Sequence, residues 1–175
     1  MNKLSKNNSK VNKSSPVKLS SHHLLAIEGM QKTEIQKLLD RADYFANLDK
    51  HTDTKYLSGY VVLNVFFENS TRTRVSFELA ARRLGAEVIN ISLINSSIKK
   101  GESLLDTAST LNAMKPDLLI VRHPHSGAPL LFAEYLSCSI INAGDGRHEH
   151  PTQALLDALT IKRRIGYLEL SLIHI

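Results

Sequence analysis

The chain has 175 residues, 42% of them hydrophobic, which suffices for one domain with a sizeable core. Its net charge of +5 would suit a polyanion, but five lysines and no acid fall in residues 1–20, and the remaining chain balances 17 basic against 17 acidic side chains. The body thus has no charge footprint for nucleic acid, no run of 18 apolar residues offers a membrane span, and the single Cys138 allows no internal disulfide and points to a reducing, cytoplasmic compartment.

The Asn-, Lys- and Ser-rich tail, residues 1–20, is predicted to be disordered. It lacks the apolar centre of a secretory signal, and with no arginine it fits an organelle-targeting segment poorly. From Thr33 onward, Ile35, Leu38, Leu39 and Ala42 share one stripe, which predicts a helix reaching about Leu48. Residues 59–67 are β-branched or aromatic and almost uncharged, as in a strand buried on both faces. Phe77, Ala80, Ala81 and Leu84 then recur at helical spacing up to a Gly85 stop, so Ser70 to Thr73 form the first turn of a helix starting at a strand's carboxyl end.

Residues 86–91 alternate as a second strand, and the polar loop 92–101 reads, from its residues alone, as solvated. A helix is expected from about Glu102 to Met114, ended by Pro116, and a short apolar strand over 117–121 runs into Arg122-His123-Pro124. Residues 130–136 fit a helix, 139–143 a fourth strand, and Gly144-Asp145-Gly146 a tight turn with Asp145 as a turn residue. His150-Pro151-Thr152-Gln153 opens the last helix, with Leu155, Ala158 and Leu159 as its buried stripe. The recurring order predicts an α/β fold, a three-layer parallel sheet of about four strands with helices on both faces. Ligands in such sheets sit beyond the strands' carboxyl ends, so Ser70 to Thr73, Arg122 and His150 should converge on one crevice.

The Ser70 turn favours anions, because the first N–H groups of a helix lack intrahelical partners and its dipole is positive there. Arg72 and Arg74 oppose that dipole, at roughly 0.3–1 kcal/mol each, unless an anion offsets them. Ser70, Thr71 and Thr73 add hydroxyl donors, and an arginine fork suits the paired oxygens of phosphate or carboxylate. The turn alone remains compatible with an ordinary Ser N-cap flanked by solvated arginines.

The run from Phe66 to Thr73 resembles the signature of the aspartate and ornithine carbamoyltransferases. Residues 97–102, 121–124, and 142–146 running into His150-Pro151-Thr152-Gln153 match the same family in the same order, and the resemblance covers about 21–164. Glu68, where ornithine enzymes usually carry Lys, together with the Arg-His-Pro segment and the Ala-Gly-Asp-Gly turn, sides with the aspartate branch. The resemblance implies transfer of the carbamoyl group of carbamoyl phosphate to L-aspartate, in pyrimidine biosynthesis, without a cofactor. It implies that Ser70, Thr71, Arg72 and Thr73 bind the phosphate, that Arg122, His150 and Thr73 polarise the carbonyl oxygen, and that Gln153 accepts from the carbamoyl amide. Ser97 and Lys100 would reach into a neighbouring subunit's site in a homotrimer that could also carry regulatory chains, and Glu68 would pair with arginines of a second domain.

Other candidates weigh less. His148-Glu149-His150 lacks the spacing of a zincin motif, so no metal is expected. His123 and His125 read as structural or exposed, and Cys138 as a small buried residue rather than a nucleophile. The family's second α/β domain is absent from this sequence, and residues 165–175 are expected to be a truncated, non-native end. Alternatives are an ornithine or other amino-acid carbamoyltransferase, or a non-catalytic anion-binding or assembly module.

Overall fold

In the computed structural model, residues 18–49, 52, 54–93 and 103–166 are described. The predicted tail over residues 1–17, the loop residues Ser97 and Lys100, and the predicted non-native end beyond Gly166 lie outside them. The elements run α1 (Lys32–Ala46), β1 (Val61–Phe66), α2 (Thr71–Arg83), β2 (Glu87–Ser92), α3 (Leu104–Ala113), β3 (Leu118–His123), α4 (Ala128–Tyr135), β4 (Ser139–Asp145) and α5 (Pro151–Ile165). All strand pairs are parallel, in the order β2-β1-β3-β4. This is the expected layered α/β sheet.

Both faces of β1 are buried, as its uninterrupted apolar run requires. Leu63, Val65 and Phe67 pack with Leu119, Val121, Phe132 and Ile140 on one face, while Val62 and Phe66 meet Ala81, Val88 and Ile120 on the other. A third cluster, Ile35, Leu39 and Leu159, joins α1 to α5. The predicted alternation of β2 is weak in the structure, where only Val88 is buried, because β2 is an edge strand with Ile89 45% exposed. At the opposite edge, Leu24 bridges to Ile141 in parallel.

Two expectations need correction. The fourth strand does not stop at Ala143 but continues through Gly144 to Asp145, so these residues are not a free tight turn. Asp145 is 2% exposed and lies at the centre of a hydrogen-bond network. The cause is a bulge: β3 and β4 pair as Val121 with Asn142 and then His123 with Asp145, so β4 carries one residue more than β3. His123 is also fully enclosed, 4% exposed, edge-on to Phe67.

The strand order reverses direction between β1 and β3. After β1 the chain steps outward to β2, then returns to the other side of β1 for β3 and β4. Their carboxyl ends flank a switch point, the place where open parallel sheets bind ligands.

Candidate active site

At the switch point β1 and β3 stay joined, with Phe67 N–H donating to the Arg122 carbonyl at 3.0 Å. The chain from β1 turns directly into α2. Asn64, fully buried in β1, donates to the Arg74 carbonyl at 3.1 Å and to Asn90 Oδ1 of β2 at 2.8 Å, which fixes how α2 leaves the sheet. Ser70 is the N-cap residue but makes no side-chain capping bond, and no acid lies in the first turn. Ser70 thus occupies the N-cap position without the side-chain bond of an ordinary Ser cap.

The start of α5 is built the same way. His150 is its N-cap residue with no side-chain cap, Pro151 occupies the first turn, and no acid is present there. By contrast, α1 and α3, away from the switch point, carry capping boxes with Glu34 and Asp106 at the third position. The two helices that start at the carboxyl ends of β1 and β4 thus have no side-chain cap and no acid within their first turns.

Between those two helix starts lies a cavity of about 530 Å³, lined by Arg72, Thr73, His150 and Gln153 among others, with Phe77 and Leu156 as apolar wall. Arg122 and His150 line a second hollow of about 180 Å³. His150 is common to both, so the structure brings Arg72, Thr73, Arg122, His150 and Gln153 together. Ser70 and Thr71 stand at the start of α2, directly before Arg72, and do not themselves line the cavity.

Arg122 is held from two sides. Its Nη1 donates to the Ala143 carbonyl at 2.9 Å, a group exposed by the bulge. Its Nε lies 2.6 Å from Glu68 Oε1 yet makes no aligned hydrogen bond, so this contact is an ion pair. Gly144 makes room for the guanidinium: with φ of +116°, a Cβ there would stand 2.5 Å from Nη1. Within this chain Glu68 pairs with Arg122; the family expectation had it paired with arginines of another domain.

Burial, reinforced by the Arg122 guanidinium, holds the His150 imidazole below its ordinary value, so it is neutral at pH 7. The Thr152 hydroxyl lies 3.4 Å from His150 Nδ1. With that hydroxyl donating, the ring proton resides on Nε2, where it can be offered to a ligand oxygen. The loop that carries His150 is tied down by Asp145. Its Oδ2 accepts from Gly127 N–H at 2.8 Å, and its Oδ1 accepts from Glu149 N–H at 2.8 Å and from Asn142 Nδ2 at 3.0 Å. His148 turns to Asp145 as well, at 3.1 Å. Among the described residues no group of three or more His, Cys, Asp or Glu could hold a metal ion.

A family model described as the carbamoyl-P binding domain of aspartate/ornithine carbamoyltransferase matches residues 22–163. The chain belongs to the aspartate/ornithine carbamoyltransferase family. Relatives within it include the aspartate carbamoyltransferase catalytic subunit of Dinoroseobacter shibae, 62% identical over 154 residues, covering 86% of this chain and 48% of that protein. The corresponding subunit of Rhodospirillum rubrum is 61% identical over 148 residues, covering 83% and 46%. Among solved structures, the catalytic subunit of M. jannaschii aspartate transcarbamoylase superposes with a TM-score of 0.77 at 46% identity, covering 83% of this chain and 48% of that one. The Trypanosoma cruzi enzyme, solved in complex with carbamoyl phosphate, gives 0.75 at 38% identity, covering 83% and 47%. The chain spans about half the length of these carbamoyltransferases.

Sequence reasoning missed three contributors. Asp145 and Asn142 were hidden because a bulge cannot be read from an apolar run, whereas Asp157, four residues beyond Gln153 and hydrogen-bonded to it at 2.9 Å, follows from helical spacing alone.

Proposed function

We propose that residues 21–164 form a carbamoyl-phosphate-binding domain that serves an aspartate carbamoyltransferase. The observation that carries this is the pair of acid-free, uncapped helix starts facing one cavity together with Arg72, in a chain of this family. The phosphate would sit on the N–H groups and hydroxyls of Ser70, Thr71 and Thr73, with Arg72 forking two of its oxygens. Both helix starts supply donors, and neither carries a carboxylate in its first turn.

The reaction joins the amine nitrogen of L-aspartate to the carbamoyl carbon and breaks that carbon's bond to the phosphate oxygen. Negative charge gathers on the carbonyl oxygen as the amine adds. Arg122, neutral His150 and the Thr73 hydroxyl would donate to that oxygen, each such donor typically contributing about 2.7–4 kcal/mol to the transition state. Gln153 would accept from the carbamoyl NH2. The departing phosphate takes the proton shed by the amine, so N-carbamoyl-L-aspartate and phosphate form without a dedicated protein base and without a cofactor. This is a step of pyrimidine biosynthesis.

Aspartate is favoured over ornithine as acceptor by Glu68 and by the aspartate carbamoyltransferase catalytic subunits at 60–62% identity. In the same reading Ser97 and Lys100 complete a neighbouring subunit's site in a cytoplasmic homotrimer, with regulatory chains as further partners. By itself the 175-residue chain would bind carbamoyl phosphate weakly and turn over little.

Calorimetry with carbamoyl phosphate on the chain and on Arg72→Ala tests the phosphate site: heat should be lost in the variant, and equal heats from both proteins would sink it. Joining the chain to a second domain from one of its relatives should yield aspartate-dependent product. Ornithine-dependent, aspartate-independent product would overturn the choice of acceptor.

A further inference from the structure

Gln153 and Asp157 occupy successive turns of α5, and the Gln153 side-chain nitrogen donates to Asp157 Oδ1 at 2.9 Å. A carboxylate only accepts, so this contact decides the two ends of the Gln153 amide. The NH2 is committed along the helix, and the oxygen is the end left for the cavity that Gln153 lines with Arg72, Thr73 and His150. A carboxamide without such a partner could present either end. An acyl phosphate bearing NH2 and one bearing a methyl group have nearly the same shape and phosphate. They differ in the two N–H donors that only an acceptor can read.

We propose that Asp157 is a positioning residue that makes Gln153 a one-way acceptor, so that the site selects an amide-bearing acyl phosphate over a methyl-bearing one. The inference rests on the carbamoyl phosphate reading above and deepens it. Asp157 acts on a second member of the site as well. Burial and Arg122 both lower the His150 imidazole, and the Asp157 carboxylate partly offsets them. An exposed i,i+4 pair that merely steadied α5 would leave ligand preference unchanged.

The test compares the 175-residue chain with Asp157→Asn, which keeps size and helix position but can either donate or accept, so that Gln153 is free to turn over. Calorimetry is run with carbamoyl phosphate, acetyl phosphate and inorganic phosphate. The chain should prefer carbamoyl over acetyl phosphate, and the variant should lose about tenfold of that preference, the scale of one net hydrogen bond. Inorganic phosphate should bind both within about twofold, and Asp157→Glu should restore part of the preference. An unchanged preference in Asp157→Asn overturns the inference. So does a parallel loss of all three ligands, which marks a packing role. NMR of the ligand-free proteins gives an independent reading: the Gln153 side-chain amide resonances should differ between the chain and Asp157→Asn. If the chain binds none of the three ligands, the carbamoyl phosphate reading fails. The Gln153–Asp157 lock then stands or falls on those amide resonances, whose indifference to Asp157 overturns it.

Discussion

Replacing Asp145 by asparagine changes one oxygen into a nitrogen, yet it should cost most of what holds the His150 loop in place. Oδ1 accepts from Glu149 N–H and Asn142 Nδ2, while Oδ2 accepts from Gly127 N–H and faces His148 Nδ1. Each oxygen therefore serves one backbone N–H at 2.8 Å, and whichever way the new amide turns, its NH2 confronts a donor. Two contacts are lost, and one backbone donor is stranded in the interior. Hydrogen bonds to a charged acceptor are worth about 1.5–3 kcal/mol each, which gives roughly 3–6 kcal/mol. Half-exposed His148 can turn to water, so if its contact is one of the two lost, the lower half of that range, about 3–4.5 kcal/mol, applies. Against a domain stability of about 5–15 kcal/mol this is severe. Urea unfolding followed by circular dichroism measures it, and a loss below about 1 kcal/mol would refute the account of the network. A pH arm adds a check. Burial alone would raise the Asp145 carboxyl, but the donors from Asn142, Gly127, Glu149 and His148 together hold it below its ordinary 3.8. Its contribution is therefore present above pH 3.8 and is lost as pH falls through the folded value; the asparagine variant lacks that acid limb.

Three other outcomes are expected. Ser70→Asp should cap α2 and complement Arg72 and Arg74, raising the stability of the ligand-free chain by about 0.5–1 kcal/mol while cutting phosphate affinity at least about tenfold; thermal unfolding paired with calorimetry checks it, and unchanged phosphate binding would contradict the site. Glu68→Gln should shift stability by under about 1 kcal/mol, since both partners of its pair with Arg122 are partly exposed, but should tighten carbamoyl phosphate binding several-fold by freeing the guanidinium for the carbonyl oxygen; weaker binding would argue against it. Finally, burial lowers both His123 and His150, whose folded values lie below the unfolded 6.5. The unfolded chain then binds more protons between those values and 6.5, so stability should rise with pH across that window and level off above it. A flat unfolding midpoint from pH 5 to 6.5 would be the contrary result.

The layered sheet was legible because its signals are local. The apolar run of β1, the stripe of α2 and the Pro116 break each report one element's burial, and their order dictates parallel crossovers. The helix start at Ser70 was legible for the same reason, as were Arg122 and His150 at neighbouring strand ends. What escaped was set by pairing between strands. The extra residue in β4 exists only relative to β3, and it is this bulge that bares the Ala143 carbonyl to Arg122 and turns Asp145 inward. A Gly-Asp-Gly triplet carries the composition of a turn, and nothing in its own sequence distinguishes a solvated Asp from a buried one that accepts from three sides. The exposed face of β2 likewise depends on which strand ends up at the edge.

The distribution of caps links stability to function in this domain. Asp106 and Ser103 close α3, and Glu34 and Gln31 close α1, each box satisfying donors that would otherwise need water. The same chemistry was available to α2 and α5 at little cost, since Ser70 already stands at the N-cap. Forgoing it leaves about 1 kcal/mol per helix unrealised, and Arg72 and Arg74 add roughly 0.3–1 kcal/mol each against the dipole. Among the described residues, two of the three helices without a side-chain cap, α2 and α5, start around the 530 Å³ cavity; the third, α4, starts at Gly127, whose N–H is taken by Asp145. On the proposed reading a dianion seated on the α2 start would satisfy its N–H groups and offset Arg72, so the instability of the empty turn and an affinity for phosphate would be one property. That is why Ser70→Asp should move them in opposite directions.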